Sequence, residues 1–592
     1  MRAQGFVQGA LISLLVCPPG CKGPGTPPPP LHQLPLQGAV VSGQPLATQV
    51  GLDILEAGGN AADAAVAAAL ALAVVLPQAG NLGGGGFALW VPHQGQGEVI
   101  DFREVTPQAF DQDLYLDDEG KLVRRRSLET PLAVGVPGSP AGLYSLFKRH
   151  GSGRFSFLQL CAPAISLARE GIPANSWLVR SLGAEGPKRR LQANPAARAL
   201  FYPHQGGEAL RVGDALIQED LAQTLERYGN QGPQGFYQGQ TAALLLDSLA
   251  EANEREGNLV GERGMTAADL TSYSSLVRSP LRGWFRGFEV LSVPPPSSGG
   301  FVLLQVLGIL EGLPLEGQRT PQGEPTVRAM HWWIEAMRMA FADRAEHLGD
   351  PADYAVPLDA LLGADWVTMR RVSIGPQADL DCRAWVPPGA PESSQTTHLS
   401  VLDDQGNAVS LTTTLNATFG SGIMVKGGGF LLNNELDDFS IVSGTPNMFG
   451  LLGGEANQLR PGRRPLSSMT PTVVREGGGR VVLVLGAPGG PRIISSVLQV
   501  VLRVLVHRQD LESAVRAPRL HQQWRPKETR VEKGFDPELV KLLEATHGQP
   551  FAKGSAAGLI QAIGVGANGQ PSVVSDPRSG GTGGLQREKA PR

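Results

Sequence analysis

The stretch Gln395–Asn416, QTTHLSVLDDQGNAVSLTTTLN, constrains the fold more than any other. Two runs that alternate polar and apolar residues flank the turn-forming segment Asp403-Asp404-Gln405-Gly406-Asn407. That pattern predicts a β-hairpin. With Gln405 at its centre, Thr396 falls opposite Thr414, His398 opposite Thr412, and Ser400 opposite Ser410. Side chains alternate along a strand, so Thr396, His398, Ser400, Thr412, Thr414 and Asn416 share one face. The other face carries Leu399, Val401, Val409, Leu411 and Leu415 and suits a core. Opposed Cβ atoms on the polar face lie about 5 Å apart.

The residues before the hairpin have no period. Asp381–Gln395 is rich in Pro, Gly and Ser and reads as an exposed segment ending where a strand begins. A cut between Gln395 and Thr396 would leave a threonine whose hydroxyl and free α-amine are adjacent. An α-amine titrates near pH 7.7–8.0, roughly right for a base at neutral pH. Such a residue activates its own hydroxyl and needs no histidine. A Thr-rich strand after a loop is the commoner reading of these residues alone.

Further motifs lie on both sides. Upstream are QAGNLGGGGF at Gln78–Phe87, DFRE at Asp101–Glu104 and PPPSSGG at Pro294–Gly300. Downstream are GGGFLLNNELDDFS, RPLSSMTPT, GAPGGPRII and Asp576-Pro577-Arg578. Taken singly, each has a plain reading. Four glycines permit close backbone approach and positive φ, and read here as a tight turn. Arg103 reads as a strand-end cation. Glu435, Asp437 and Asp438 suit either a paired acid and base or a solvated turn. Ser467 and Ser468 read as turn hydroxyls. Gly489-Gly490 reads as a strand-to-helix turn whose unobstructed N–H groups also suit an oxyanion hole.

In this order, and from about Gly38 to Arg578, the motifs resemble the γ-glutamyltransferases. These are N-terminal-nucleophile hydrolases, also called glutathione hydrolases. The resemblance implies an α+β fold, a four-layer αββα sandwich built jointly by two products of self-cleavage. It divides the chain into a leader and Pro-rich spacer at 1–37, a large subunit at 38–395, and a small subunit at 396–592. Cleavage falls between Gln395 and Thr396, and Thr396 becomes the nucleophile. Thr414 orients it, and Gly489 and Gly490 supply the oxyanion hole. Arg103, with Ser467 and Ser468, holds the substrate carboxylate; Asp438, Glu435 and Asn416 hold its ammonium. The donors implied are glutathione and other γ-glutamyl compounds, with amino acids or peptides as acceptors and no cofactor. Ile441–Gln458 matches a lid, with Phe449 where relatives can carry Tyr. The rivals are a β-lactam or glutaryl-amide acylase of the same fold, and an uncut binding protein.

Composition excludes other classes. The 51 basic and 55 acidic residues leave a net charge of −4 and no footprint for nucleic acid. No Cys/His cluster, HExxH, Walker A or dinucleotide fingerprint occurs, so no metal is expected. Interior Cys161 reads as a small buried hydrophobe. Arg2 and the apolar run Phe6–Val16 fit a signal peptide too short to anchor a chain. Export to a periplasmic or extracellular location is therefore expected, with Cys17 in Leu14–Cys17 as a candidate lipid anchor. The alternative is a leader with no address.

Overall fold

A computed structural model describes residues 36–382, 396–554 and 556–587. The leader, Cys17 and Gln395 lie outside the described residues. The hairpin sits at the centre of a seven-stranded antiparallel sheet. Its strands run in the order Thr582–Leu585, Ala39–Ser42, Thr396–Leu402, Ala408–Thr414, Gly85–Val91, Glu98–Phe102 and Leu276–Arg278. The register is the expected one, Thr396 opposite Thr414 and His398 opposite Thr412. The Asp403 carboxylate fixes the turn by accepting the N–H groups of Gln405 and Asn407 at 3.0 and 2.9 Å.

A second antiparallel sheet stacks on the first. It has six strands, in the order Pro571–Ser575, Gln561–Val565, Val481–Gly486, Thr472–Glu476, Phe288–Ser292 and Leu281–Phe285. Helices Pro45–Glu56, Ala61–Val75 and Ser139–His150 cover the first sheet's outer face, whose apolar residues include Leu399, Val401, Val409 and Leu411, and helix Phe157–Glu170 packs on Ala61–Val75 behind them. Helices Gly299–Glu311, Val327–His347 and Arg492–Leu505 cover the second. The result is the αββα sandwich expected above.

Local chemistry explains the helix that touches the hairpin. Asn60 accepts the N–H groups of Ala62 and Asp63, while Asp63 returns a bond to the Asn60 N–H, a capping box. The second oxygen of Asp403 accepts the Ala61 N–H at 3.1 Å, tying the hairpin turn to the same helix start. Every residue of Ala61–Val75 is buried, as its alanine-rich sequence requires. Among the described residues, no helix is long and apolar enough to cross a membrane.

The polar face of the hairpin turns inward, between the two sheets. There every hydroxyl needs a partner, because a buried polar group without one costs about 1–3 kcal/mol. His398 Nδ1 pairs with Thr412 Oγ1 at 2.8 Å and Nε2 with Ser400 Oγ at 3.1 Å. Ser400 donates to Gln561 O at 3.1 Å and Ser410 to Leu485 O at 3.0 Å, both on the second sheet. Gly486, on the facing strand, leaves room for the imidazole: a Cβ there would lie 2.3 Å from His398 Cε1. Burial pushes His398 down to about 3, so the ring is neutral.

The two halves of the sequence interleave. Ala39–Ser42 lies between Thr582–Leu585 and Thr396–Leu402, and Ala408–Thr414 pairs with Gly85–Val91. A chain cut before Thr396 would keep both pieces in one pair of sheets.

The glycine run differs from the expected tight turn. None of Gly83–Gly86 has a positive φ, and Gly85 and Gly86 are already in strand. The close approach is what needs them: a Cβ on Gly84 would lie 2.0 Å from Thr414 O, and one on Gly86 2.2 Å from Thr412 O. Cys161 is buried with a free thiol, as expected of a small core residue.

Candidate active site

Thr396 opens its strand and is only 8% exposed. Its Oγ1 lies 3.4 Å from Thr414 Oγ1 across the hairpin. Thr414 Oγ1 accepts the Asn416 N–H at 2.8 Å. Asn416 has φ 71° and donates its Nδ2 to Asn434 O at 2.9 Å, which points its Oδ1 the other way as an acceptor. Asn434 adjoins Glu435. Two short hydrogen bonds thus link the threonine pair to the acidic segment.

Asn81 braces this arrangement from beneath. Its Nδ2 donates to Thr414 O at 2.9 Å and Thr413 Oγ1 at 3.1 Å, and its Oδ1 accepts from Gly84 N and Ser139 Oγ. Sequence reasoning passed over Asn81, although it sits in the NLGGGG run, where an amide beside glycines signals backbone bracing.

Arg103, Glu435 and Asp438 come together as a buried ionic cluster. Arg103 Nη1 pairs with Glu435 and Nη2 with Asp438 Oδ2 at 2.6 Å. Its Nε donates to Pro465 O at 3.0 Å. Glu104, also fully buried, stands 3.5 Å from Nη1. Three carboxylates thus converge on one guanidinium, whose planar fork serves two of them at once.

Burial sets the protonation of the cluster. It pushes Glu435 well above the usual carboxylate range, against the pull of Arg103, and raises Asp438 in the same way. Glu104 is raised to about 7, again by burial against Arg103. Burial opposes charge on Arg103 itself, but Glu435, Glu104 and Asp438 together outweigh it. Glu104 Oε1 and Glu435 Oε2 have no hydrogen-bond partner among the described residues. Asp437 points elsewhere, to Ser127 Oγ at 2.7 Å and Met448 N at 2.8 Å.

Ser467 and Ser468 are buried close by in sequence to Pro465, which Arg103 touches. Ser467 Oγ accepts the Met469 N–H at 3.1 Å, and Ser467 N donates to Pro296 O at 2.7 Å. The PPPSSGG junction thus holds the SSM turn in place, with Ser298 bonded to Ser467 O. No bond joins either serine to Arg103 among the described residues.

Gly489 and Gly490 form the turn between strand Val481–Gly486 and helix Arg492–Leu505. Their φ values are 140° and 57°, which a side chain would strain. Gly489 also packs on Gly558, whose Cα would be 3.0 Å from a Cβ there. The amides of the two glycines have no acceptor among the described residues.

The Ile441–Gln458 segment covers the cluster. Asn447 Nδ2 donates to Asp438 Oδ1 at 3.0 Å, and Arg344 donates to Leu452 O at 2.7 Å. Phe449 is buried, the apolar cover expected of it. Asn447 and Arg344 were not anticipated. Arg344 follows Met337 and Phe341 on one face of its helix, and a cation on an apolar stripe is the signal that marks it. Burial lowers Arg344 to about 10, against the pull of Asp438.

Known proteins resemble this chain in sequence and in fold. A family model described as gamma-glutamyltranspeptidase matches residues 47–585. The glutathione hydrolase proenzyme of Escherichia coli is 44% identical over 549 residues, covering 92% of this chain and 90% of that protein. A cephalosporin acylase from Bacillus halodurans superposes with a TM-score of 0.77 at 28% identity, covering 95% of this chain and 98% of the other. The gamma-glutamyltranspeptidase of Helicobacter pylori aligns at 36% identity and a TM-score of 0.52, covering 57% of this chain and 91% of the other. A family model across most of the chain, joined to a relative of this identity and coverage, places the protein in the γ-glutamyltranspeptidase family.

Proposed function

We propose that Thr396 is the nucleophile by which this self-processing γ-glutamyltransferase and glutathione hydrolase cleaves γ-glutamyl amides. One observation carries the reading. A buried guanidinium paired with two carboxylates, linked through Asn416 to a threonine pair, is charge-matched to the zwitterionic end of a γ-glutamyl donor. The substrate carboxylate takes over Arg103, and its ammonium takes over Glu435 and Asp438, beside Asn416 Oδ1. One set of internal ion pairs is exchanged for two, and the charge of the site is unchanged. A donor with a carboxylate alone would displace the acidic pair and leave it uncompensated.

Processing precedes catalysis. Thr396 Oγ1 attacks the Gln395 carbonyl, the peptide shifts to an ester, and water releases a new N-terminal threonine. The division is 38–395 and 396–592, and the interleaved strands keep the two pieces together as a heterodimer. In turnover the freed α-amine takes the hydroxyl proton as Oγ1 attacks the γ-carbonyl. Thr414 orients the hydroxyl, and the Gly489 and Gly490 amides receive the oxyanion. The amine returns the proton to the leaving nitrogen. Water, or the amino group of an amino acid or peptide, resolves the γ-glutamyl ester. Ser467 and Ser468 complete the carboxylate side beside Arg103. We place the chain outside the cytoplasm on the strength of its leader, with Cys17 a candidate for lipid attachment.

A β-lactam or glutaryl-amide acylase is the second reading, and the acylase-like superposition favours it as the rival. Purified protein incubated with γ-glutamyl-p-nitroanilide, with and without glycylglycine, separates the two. Release of p-nitroaniline from the γ-glutamyl donor, with little from glutaryl-p-nitroanilide, is the expected result. A preference for the glutaryl compound overturns the substrate assignment. The smaller band on a gel should begin Thr-Thr-His.

A further inference from the structure

One line of hydrogen bonds joins the recognition cluster to the helix that carries the Gly489–Gly490 turn. It starts at Asp438, whose Oδ1 accepts Asn447 Nδ2 at 3.0 Å. Asn447 Oδ1 accepts the Phe449 N–H at 3.0 Å, which fixes the lid turn. Phe449 O accepts Gln523 Nε2 at 3.3 Å, and the same nitrogen donates to Arg525 O at 3.2 Å. Two carbonyls on one nitrogen fix the amide, so Gln523 Oε1 is the acceptor toward His521 Nε2, 2.7 Å away. Burial lowers His521 to about 3, so the ring carries one proton, and that proton is on Nε2. Nδ1 then accepts from Ser495 Oγ, 2.9 Å away, a hydroxyl that also has Arg492 O within reach at 3.2 Å. Every donor along the line points toward Asp438.

Ser495 belongs to the first turn of helix Arg492–Leu505, directly after Gly489-Gly490-Pro491. His521 and Gln523 are buried, as is Phe449. A break at one link removes a partner from a buried neighbour and frees it to reorient toward its other acceptor, Arg525 O for Gln523 and Arg492 O for Ser495, so the groups keep their orientation together. We infer that His521 and Gln523 are positioning residues for the hydrolase reaction, joining ammonium recognition at Asp438 to the oxyanion turn through the lid. Neither touches substrate. They act by fixing where the Gly489 and Gly490 amides point, and catalysis by such donors depends steeply on placement. Substrate binding bears on the line at its far end, because the ammonium replaces Arg103 on Asp438 while Asn447 keeps the other oxygen.

The inference rests on the function proposed above, and a double-mutant cycle tests it separately. Wild type, Asn447→Ala, Gln523→Leu and the double variant are assayed on γ-glutamyl-p-nitroanilide. Each single change is expected to lower kcat about tenfold with KM moved less than about threefold, and the double variant to be no slower than the slower single. His521→Gln, which keeps one donor and one acceptor, should retain the activity that His521→Leu loses. If Gln523→Leu does not yield processed enzyme, Ser495→Ala paired with Asn447→Ala takes its place, with the same non-additivity expected. Multiplying losses, or losses confined to KM, overturn the inference while leaving the function intact. A wild type that releases no p-nitroaniline overturns the function itself.

Discussion

The polar face around Thr396 holds hydroxyls, amides and one neutral imidazole, with no charged side chain among them. The cluster around Arg103 holds three carboxylates and a guanidinium in an equally dry setting. Both are buried, and they are joined through Thr414, Asn416 and Asn434. Their construction differs. The first comes from one hairpin, where register alone sets who meets whom. The second is assembled from segments 332 and 335 positions apart, where Arg103 meets Glu435 and Asp438. On the function proposed above, a charge-free face with His398 held neutral leaves the freed α-amine of Thr396 as the group that titrates near neutrality. On the same proposed function, a charge-dense cluster recognises a zwitterion by trading its internal ion partners. The difference separates chemistry from recognition, and each side can be attacked alone.

The largest effect belongs to the nucleophile face. Thr396→Ala should leave the chain uncut and reduce p-nitroaniline release by about 10⁴-fold or more, as loss of a nucleophile does elsewhere. Two bands on a gel of that variant would remove Thr396 from processing. Next comes the cluster. Arg103→Ala leaves buried carboxylates unpaired, a loss of about 3–5 kcal/mol. That is a fall in kcat/KM of about 10²-fold to several thousand-fold for γ-glutamyl donors. Processing should persist, because the hairpin does not depend on Arg103. Arg103→Lys should recover little, since an ammonium cannot serve Glu435 and Asp438 with one planar fork. If Arg103→Ala blocked cleavage as well, recognition and chemistry would not be separable in this way.

The same contrast decides what was legible in the sequence. Alternation fixed the hairpin register because one slip would move Leu399 and Leu411 off the core face. The Asn60 start of helix Ala61–Val75 is local in the same way, since an N-cap bond joins near neighbours in the chain. The cluster had no such local signature. DFRE alone reads as a strand-end cation and ELDD as either a paired acid and base or a solvated turn, and only the family resemblance brought Arg103, Glu435 and Asp438 together. The resemblance was silent on Glu104, Arg344 and Asn447, whose roles depend on packing of remote segments. The glycine run was misjudged for a related reason. Its glycines answer to the Thr414 and Thr412 carbonyls of a strand over 300 positions away, not to a local turn. Nor could the hairpin alone identify Thr396 as more than a threonine after a loop.

A smaller effect probes the spacing of the two sheets at the nucleophile face. Gly486→Ala would place a methyl 2.3 Å from the His398 ring. The ring is hydrogen-bonded at both nitrogens, so the sheets must part instead. Overpacking of this kind costs about 1–3 kcal/mol. The strand bearing Gly486 leads straight to Gly489 and Gly490, so kcat should fall together with the melting temperature. Fluorimetric melting and steady-state kinetics on the same preparation check this. A lowered Tm with unchanged kcat would mean that the oxyanion turn is positioned independently of the sheet.

The smallest effect is a pH dependence that only the charged region can produce. Glu104 is raised to about 7 in the folded chain by burial, against Arg103 and with Asp438 and Asp101 adding to the rise. Its unfolded value is near the ordinary glutamate figure of about 4.3. Between those limits the folded state holds a proton that the unfolded state has lost, so stability falls as pH rises. The contribution is complete below the unfolded value and gone above about 7. Glu104→Gln keeps the neutral shape at every pH and should flatten the decline between about pH 5 and 7 by on the order of 1 kcal/mol. His398, neutral throughout this range, adds no slope there. Melting temperatures of wild type and Glu104→Gln across that window provide the check. Parallel curves would show that Glu104 stays ionised beside Arg103 across that window.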